Sequence, residues 1–262
     1  MLTDLLEILI FGSLVLQGIL LIVNPMSLNK KANSWFGIVL IMWASFWLEE
    51  IVSLISDDKL ELGSAFYLSY MQFLTPVAFF ITIRYFTNPE YKIGRDILIY
   101  FAFPSVYLAF LILDIFEAMN FGFVFLAFIL IHALTYIGLS LFQIRKHKKH
   151  ILHFSSNTAN IDLAWLESIV WATLFLVLGV AIFNLLFFEA PLNLFMNVFV
   201  YVVVLFTAYH SLKQKEIFPD DKQERAETLL IFADTDKDTV QNKIMTEEKL
   251  VEIGRASCRE RV

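Results

Sequence analysis

Seven apolar stretches, separated by polar connections, run through this sequence of 262 residues. They cover residues 5–23, 35–55, 63–86, 97–113, 121–142, 165–188 and 192–209. Most contain about 20 residues, and an α-helix of that length crosses the ~30 Å hydrocarbon core of a bilayer. Because backbone groups in lipid must satisfy their own hydrogen bonds, each stretch should be helical. The sequence therefore predicts an all-α, polytopic membrane protein with seven transmembrane helices.

Positive charge is concentrated in every second connection. The intervening connections contain a single lysine, Lys59. Connections rich in Lys and Arg stay in the cytoplasm, so this asymmetry predicts that the N-terminus lies outside and the C-terminus inside. The eleven basic residues on the predicted inner side are Lys30, Lys31, Arg84, Lys92, Arg95, Arg145, Lys146, Lys148, Lys149, Lys213 and Lys215.

Composition divides the chain into three parts. Residues 1–212 hold the apolar stretches and form the predicted membrane sensor domain. Residues 213–252 are charged and too few to bury a core of their own, which predicts a partly helical cytoplasmic linker. Residues 253–262, IGRASCRERV, resemble a translation of common sequencing-adapter DNA and contain the single cysteine, Cys258. We expect this segment to be a non-native tail, and the native protein to continue into an output domain missing from this fragment.

Adjacent glutamates, Glu49 and Glu50, end the apolar run of the second stretch. Ionisable groups in membrane helices are candidates for function, so a ligand-contacting role is one interpretation. Intramembrane prenyl-peptide proteases have such a pair followed by an arginine four residues later, but residue 54 is Leu54 here. The other interpretation places the pair near the outer interface or inside the bundle, without a ligand.

His132 is the one histidine deep within an apolar stretch. A hydrogen-bonded structural role is favoured, and ligand binding or pH sensing is the alternative. Asn184 is a further candidate for ligand contact or sensing. It belongs to a group of intramembrane polar residues that commonly form interhelical hydrogen bonds but could also line a ligand cavity. The other members are Gln17, Gln72, Thr75 and Asn197.

A basic cluster follows the fifth stretch directly. It consists of Arg145, Lys146, Lys148 and Lys149. Such a cluster at the cytoplasmic end of a helix attracts anionic lipid by about 1 kcal/mol per charge, which predicts contact with the membrane surface. The cluster lacks interleaved aromatic residues, so nucleic-acid binding is not favoured.

The sequence carries no pattern typical of an enzyme. GxSxG, HExxH, P-loop and GxGxxG motifs are absent, and no Cys/His set has the spacing of a metal site. We therefore expect no catalytic residue, no bound metal and no cofactor.

Four short segments together resemble the membrane-embedded sensor half of AraC/XylS-type transcription regulators. They are RYFTNPEYK at 84–92, continuing through Asp96-Ile97-Leu98 to Phe103-Pro104; NIDLAWL at 160–166; LKQKEIF at 212–218; and MTEEKL at 245–250. In that family about seven helices precede a short linker and a cytoplasmic helix-turn-helix domain. The resemblance implies a sensor in the bacterial inner membrane whose helix-turn-helix domain would follow Leu250.

This resemblance implies signal-dependent control of transcription. A small-molecule or membrane signal would bias the helix bundle, and DNA would be bound only by the missing C-terminal domain. A homodimer is expected, since paired half-sites favour two-fold symmetric proteins. Two alternatives remain open: a free-standing, transporter-like membrane protein, and the sensor module of a histidine kinase.

Overall fold

The computed structural model describes residues 2–25, 29–55, 62–95, 97–115, 122–152, 163–186 and 194–213. Within these residues the secondary structure is helical. Apart from Lys213, the predicted linker at 213–252 and the tail at 253–262 lie outside the described residues. The helices are α1 (Leu2–Val23), α2 (Lys30–Ala44), a 3₁₀ turn (Ser45–Trp47), α3 (Leu48–Ile55), α4 (Leu62–Thr87), α5 (Ile97–Tyr100), α6 (Ala102–Ile115), α7 (Gly122–Leu152), α8 (Ala164–Leu186) and α9 (Leu194–Lys213).

The prediction of a helical protein with several helices able to span a membrane is confirmed for the described residues. Among the described residues, six helical segments are long and apolar enough to cross a bilayer, and Ile97–Leu113 is a shorter apolar segment. The predicted second stretch corresponds to α2, the 3₁₀ turn and α3 together, and the fourth corresponds to α5 and α6. The protein is therefore a multi-pass membrane protein with six or seven helices able to span.

Six helices pack side by side as a ring. α1 contacts α2 and α9, α2 contacts α4, α4 contacts α7, α7 contacts α8, and α8 contacts α9. α6 lies beside this ring, where it packs on α4. It reaches α7 through aromatic rings, among them the Phe103–Phe128 and Tyr107–Phe125 pairs. Large side chains, rather than close approach of backbones, thus join α6 to α7.

The second apolar stretch is not one continuous α-helix. A 3₁₀ turn at Ser45–Trp47 interrupts it, and the Ser45 carbonyl accepts a hydrogen bond from the Leu48 amide. The same carbonyl accepts a second hydrogen bond, at 3.0 Å, from Gln72 Nε2 on α4. A side chain from a neighbouring helix therefore adds a second hydrogen bond to a carbonyl at the interruption, and this bond links α4 to the 3₁₀ turn.

The fourth stretch is broken at Phe101, between α5 and α6. Pro104 lies in the first turn of α6 and has no N–H to donate to the carbonyl of Tyr100. The Tyr136 hydroxyl on α7 donates to that carbonyl instead. A proline visible in the sequence thus causes the break, and a residue from α7 compensates for it.

α1 and α2 cross in close contact at two glycines. A Cβ atom on Gly37 would lie 2.5 Å from the carbonyl oxygen of Gly18 and 2.8 Å from Ile22 Cγ1. A Cβ on Gly18 would lie 2.9 Å from the carbonyl oxygen of Gly37. Small residues allow membrane helices to approach closely and gain van der Waals contact, so these glycines set the distance between α1 and α2.

Candidate functional site

Three side chains from three parts of the ring form a hydrogen-bonded chain, which we call the Glu7 cluster. It consists of Glu7 on α1, Trp47 in the 3₁₀ turn and Asn197 on α9. The indole Nε1 of Trp47 donates to Asn197 Oδ1 at 3.4 Å. Asn197 Nδ2 donates to Glu7 Oε1 at 3.2 Å. Asn197 is 2% exposed and Glu7 is half-buried, so the cluster joins the first and last helices at the interruption of the second stretch.

The sequence pointed to part of the Glu7 cluster. Asn197 forms an interhelical hydrogen bond, which is one of the two roles that the sequence left open for it. Glu7 was not predicted as a site residue, although it is the only charged residue within the stretch 5–23. That position was a usable signal, because ionisable groups in membrane segments need partners. Trp47 gave no comparable signal.

Asn197→Leu should lower the free energy of unfolding by about 1–3 kcal/mol, because the half-buried Glu7 carboxylate and the buried Trp47 indole lose their hydrogen bonds. Unfolding by SDS in mixed micelles would measure this loss. Glu7→Leu is the matched single variant. If Glu7 and Asn197 stabilise the fold through their mutual hydrogen bond, the double variant should lose less free energy of unfolding than the sum of the two single losses. Strictly additive losses would show that Glu7 and Asn197 are not coupled.

Glu49 and Glu50 lie on α3, directly after the 3₁₀ turn, and both are exposed. Neither is buried inside the bundle. α3 contacts α1, the helix that carries Glu7. The structure thus places the predicted pair on an exposed surface near the Glu7 cluster.

His132 on α7 lies at the centre of a second group, which we call the His132 cluster. Its ring stacks on Phe73 of α4, with centroids 3.8 Å apart and planes 13° apart. Phe103 of α6 and Tyr136 of α7 contact it from other sides, with centroids at 5.6 and 4.9 Å. Tyr107 of α6 stacks on Phe73 at 3.9 Å. α4, α6 and α7 therefore meet around one imidazole.

His132 is buried in this cluster, with its imidazole 1% exposed. Among the residues that the structure describes, its Nε2 atom has no hydrogen-bond partner. The sequence identified the residue but not its aromatic surroundings, because Phe73 and Phe103 lie on other helices.

Two of the four basic-cluster residues are paired within the protein. Lys148 forms an ion pair with Glu167 near the start of α8, and Arg145 Nε lies 3.6 Å from the same carboxylate. Lys146 and Lys149 are exposed on α7. The acidic residue on α8 was missed by the sequence analysis. Half of the cluster therefore ties α7 to α8, and the other half faces outwards.

The remaining polar candidates have different outcomes. Gln17 Nε2 donates to the Val204 carbonyl of α9 at 3.4 Å and Gln72 donates to the Ser45 carbonyl, so both form interhelical hydrogen bonds. Thr75 instead donates to the Met71 carbonyl of its own helix at 3.4 Å. Asn184 belongs to α8, but its side chain lies outside the described residues.

A third group, the Trp165 cluster, lies at the opposite end of α2 from the Glu7 cluster. It consists of Phe36, Phe86, Trp165 and His210, from α2, α4, α8 and α9. The Trp165 ring centroid lies 5.9 Å from that of Phe36 and 5.8 Å from that of Phe86. It also stacks on His210 with centroids 6.4 Å apart. This end of the ring is therefore closed by aromatic packing across its centre.

Residues of the segments 84–92 and 160–166 build this end. Arg84 lies over the ring of Tyr91, 4.4 Å from its centroid, and Tyr91 packs edge-on against Tyr85. Leu163, directly before α8, is 2% exposed and has a φ of 53°. A bulky residue is strained in this left-handed conformation, and burial of its side chain offsets the strain.

Among the residues that the structure describes, no three His, Cys, Asp or Glu side chains converge in a way that could hold a metal ion. Comparison with protein-family models, with curated proteins and with solved structures gave no match.

Proposed function

We propose that this chain is the membrane-embedded sensor part of a signal-dependent transcription regulator of the AraC/XylS type. The observation that carries the proposal is where the resembling segments lie. Phe86 of the first segment contacts Trp165 of the second, and Trp165 stacks on His210, two residues before the third. Residues of the first and second segments thus lie with His210 at one end of the bundle, the end at which α9 reaches Lys213.

The proposed arrangement has seven spans in the bacterial inner membrane, with the N-terminus outside and the Trp165 cluster facing the cytoplasm. Its support is the charge asymmetry: the basic connections all adjoin the ends of helices at the Trp165 side. In this arrangement the α5–α6 segment, Ile97–Leu113, crosses the membrane although it is the shortest. A helix shorter than the hydrocarbon core can be accommodated by local thinning of the bilayer.

The proposed mechanism is a shift between two packings of the bundle. A small-molecule or membrane signal acts on the buried polar or aromatic clusters, and the change reaches the Trp165 cluster through α4, α7 and α9. The segment after Lys213 then passes the change to a dimeric DNA reader in the cytoplasm. Exposed Lys146 and Lys149 hold this end at anionic lipid headgroups.

The test is the uninterrupted gene. We expect its reading frame to continue beyond Leu250 into a helix-turn-helix domain. The full-length product should bind a specific duplex with affinity that falls steeply as salt rises, because helix-turn-helix binding depends on phosphate contacts. The 262-residue chain should not bind DNA, since residues 211–252 contain seven Lys and Arg against eleven Asp and Glu.

Other reading frames would overturn the proposal. A stop within a few dozen codons, or further membrane spans, would favour a free-standing, transporter-like protein. A kinase domain would make the chain the sensor module of a histidine kinase.

A further inference from the structure

The contact between α6 and the six-helix ring differs from the other helix contacts. α6 is attached through stacked and tilted rings: Phe103, Tyr107 and Phe110 on α6 meet Phe125 and Phe128 on α7 and Phe73 on α4. Aromatic pairs tolerate several arrangements with centroids ~4.5–7 Å apart. These rings can therefore shift relative to one another and still pack, so α6 can move while aromatic contact is kept.

His132 is the polar residue at the centre of the contact between α6 and the ring. Its Nε2 is buried without a hydrogen-bond partner in the part of the chain that the structure describes, and the rings that contact it there are uncharged. Leaving a buried polar group unpaired is unfavourable, whereas phenylalanine would fill a similar volume without that cost. The nitrogen is thus suited to a hydrogen bond supplied from outside the chain.

We propose that the His132 cluster binds an uncharged, planar aromatic molecule that carries one hydroxyl group, such as a phenol or naphthol. A neutral imidazole offers one donor and one acceptor, and an aromatic hydroxyl can bond to either. The ring of the ligand stacks among Phe73, Phe103 and Tyr136. Because the surrounding side chains are uncharged, a charged ligand would lose its hydration without compensation.

The molecule would enter from the lipid beside α6, which lies outside the six-helix ring. Its insertion moves α6 away from α4 and α7. This proposal concerns the membrane part alone and does not depend on the proposed DNA-binding output, so either can fail without the other.

Binding of 2-naphthol to the purified full chain in lipid nanodiscs tests the proposal through the fluorescence of the naphthol. We expect saturable binding above the linear partitioning into empty nanodiscs.

His132→Phe should weaken the binding of 2-naphthol about tenfold or more, because the hydrogen bond is lost while the flat ring remains. Naphthalene, which lacks the hydroxyl, should bind the original chain about tenfold more weakly than 2-naphthol. His210→Phe, a histidine in the Trp165 cluster, is the matched control and should bind normally.

A second variant covers the case in which His132→Phe does not fold. Phe73→Leu keeps the nitrogen and removes the ring that stacks on it, and it should also weaken 2-naphthol binding, by about fivefold. The proposal is wrong if 2-naphthol only partitions linearly with lipid. It is equally wrong if the original chain and the folded His132 or Phe73 variant bind it with the same affinity.

Discussion

Gly37→Leu should lower the free energy of unfolding by about 3 kcal/mol, since overpacking a close helix contact forces the backbones apart. Even the first carbon of the new side chain would lie 2.5 Å from the carbonyl oxygen of Gly18, and that oxygen belongs to a helical backbone that cannot turn aside. α1 and α2 would have to separate along their crossing. Unfolding by SDS in mixed micelles would measure the loss.

Gly12 on α1 and Gly138 on α7 provide the controls for Gly37. A Cβ atom on either has no neighbour within 4 Å. Gly12→Leu and Gly138→Leu should leave stability unchanged or raise it slightly, because leucine favours the helix by roughly 1 kcal/mol over glycine. Equal losses at all three glycines would show that α1 and α2 do not cross at Gly37.

Phe36→Ala is expected to cost about 3–5 kcal/mol, the range for deleting a buried phenylalanine ring. The ring is 1% exposed and contacts Phe86 and Trp165, which come from two other helices. Its removal leaves a cavity between four helices, and these helices cannot all move inwards to fill it. The same unfolding measurement applies, and near-ultraviolet circular dichroism would report the loosened aromatic packing.

Phe142→Ala on α7 is the matched control, since that ring is 68% exposed outside the bundle. Its loss should change stability by less than about 1 kcal/mol. Similar costs for Phe36→Ala and Phe142→Ala would contradict the placement of the Trp165 cluster in the centre of the ring.

The helices could be predicted because their cause is local. Length and apolar composition alone require a helix in a bilayer, so each predicted stretch contains helical structure. The helix break at Phe101 also has a local cause, which is Pro104. The carbonyl of Tyr100 that the break leaves without an amide donor is satisfied by Tyr136 of another helix. The 3₁₀ turn at Ser45–Trp47 has neither proline nor glycine in it. Its carbonyl is satisfied by Gln72, and such a partner cannot be found from the local sequence.

The candidate sites depend on contacts between distant parts of the chain. Glu7 and Asn197 are separated by 190 residues, and no periodic pattern in either helix indicates that they meet. The basic cluster was visible as a run of charges, but its partner Glu167 is on the next helix. His132 stood out as a lone histidine, while the stacking of Phe73 on it depends on how α4 packs against α7. The polar residues are therefore visible in the sequence, but their partners are not.

The proposal of a sensor with a cytoplasmic output has two requirements. The number of membrane spans must be odd, and the Trp165 cluster must lie on the cytoplasmic side. Single cysteines at Asp58, Asn88 and Lys149, introduced after Cys258→Ser removes the one thiol already in the sequence, test both points. We expect a membrane-impermeant maleimide to label the residue 58 variant in intact cells, and the variants at 88 and 149 only after permeabilisation. Labelling at 149 with protection at 88 would show that α6 does not cross the membrane. Labelling at 88 and 149 with protection at 58 would reverse the orientation and contradict the proposed function.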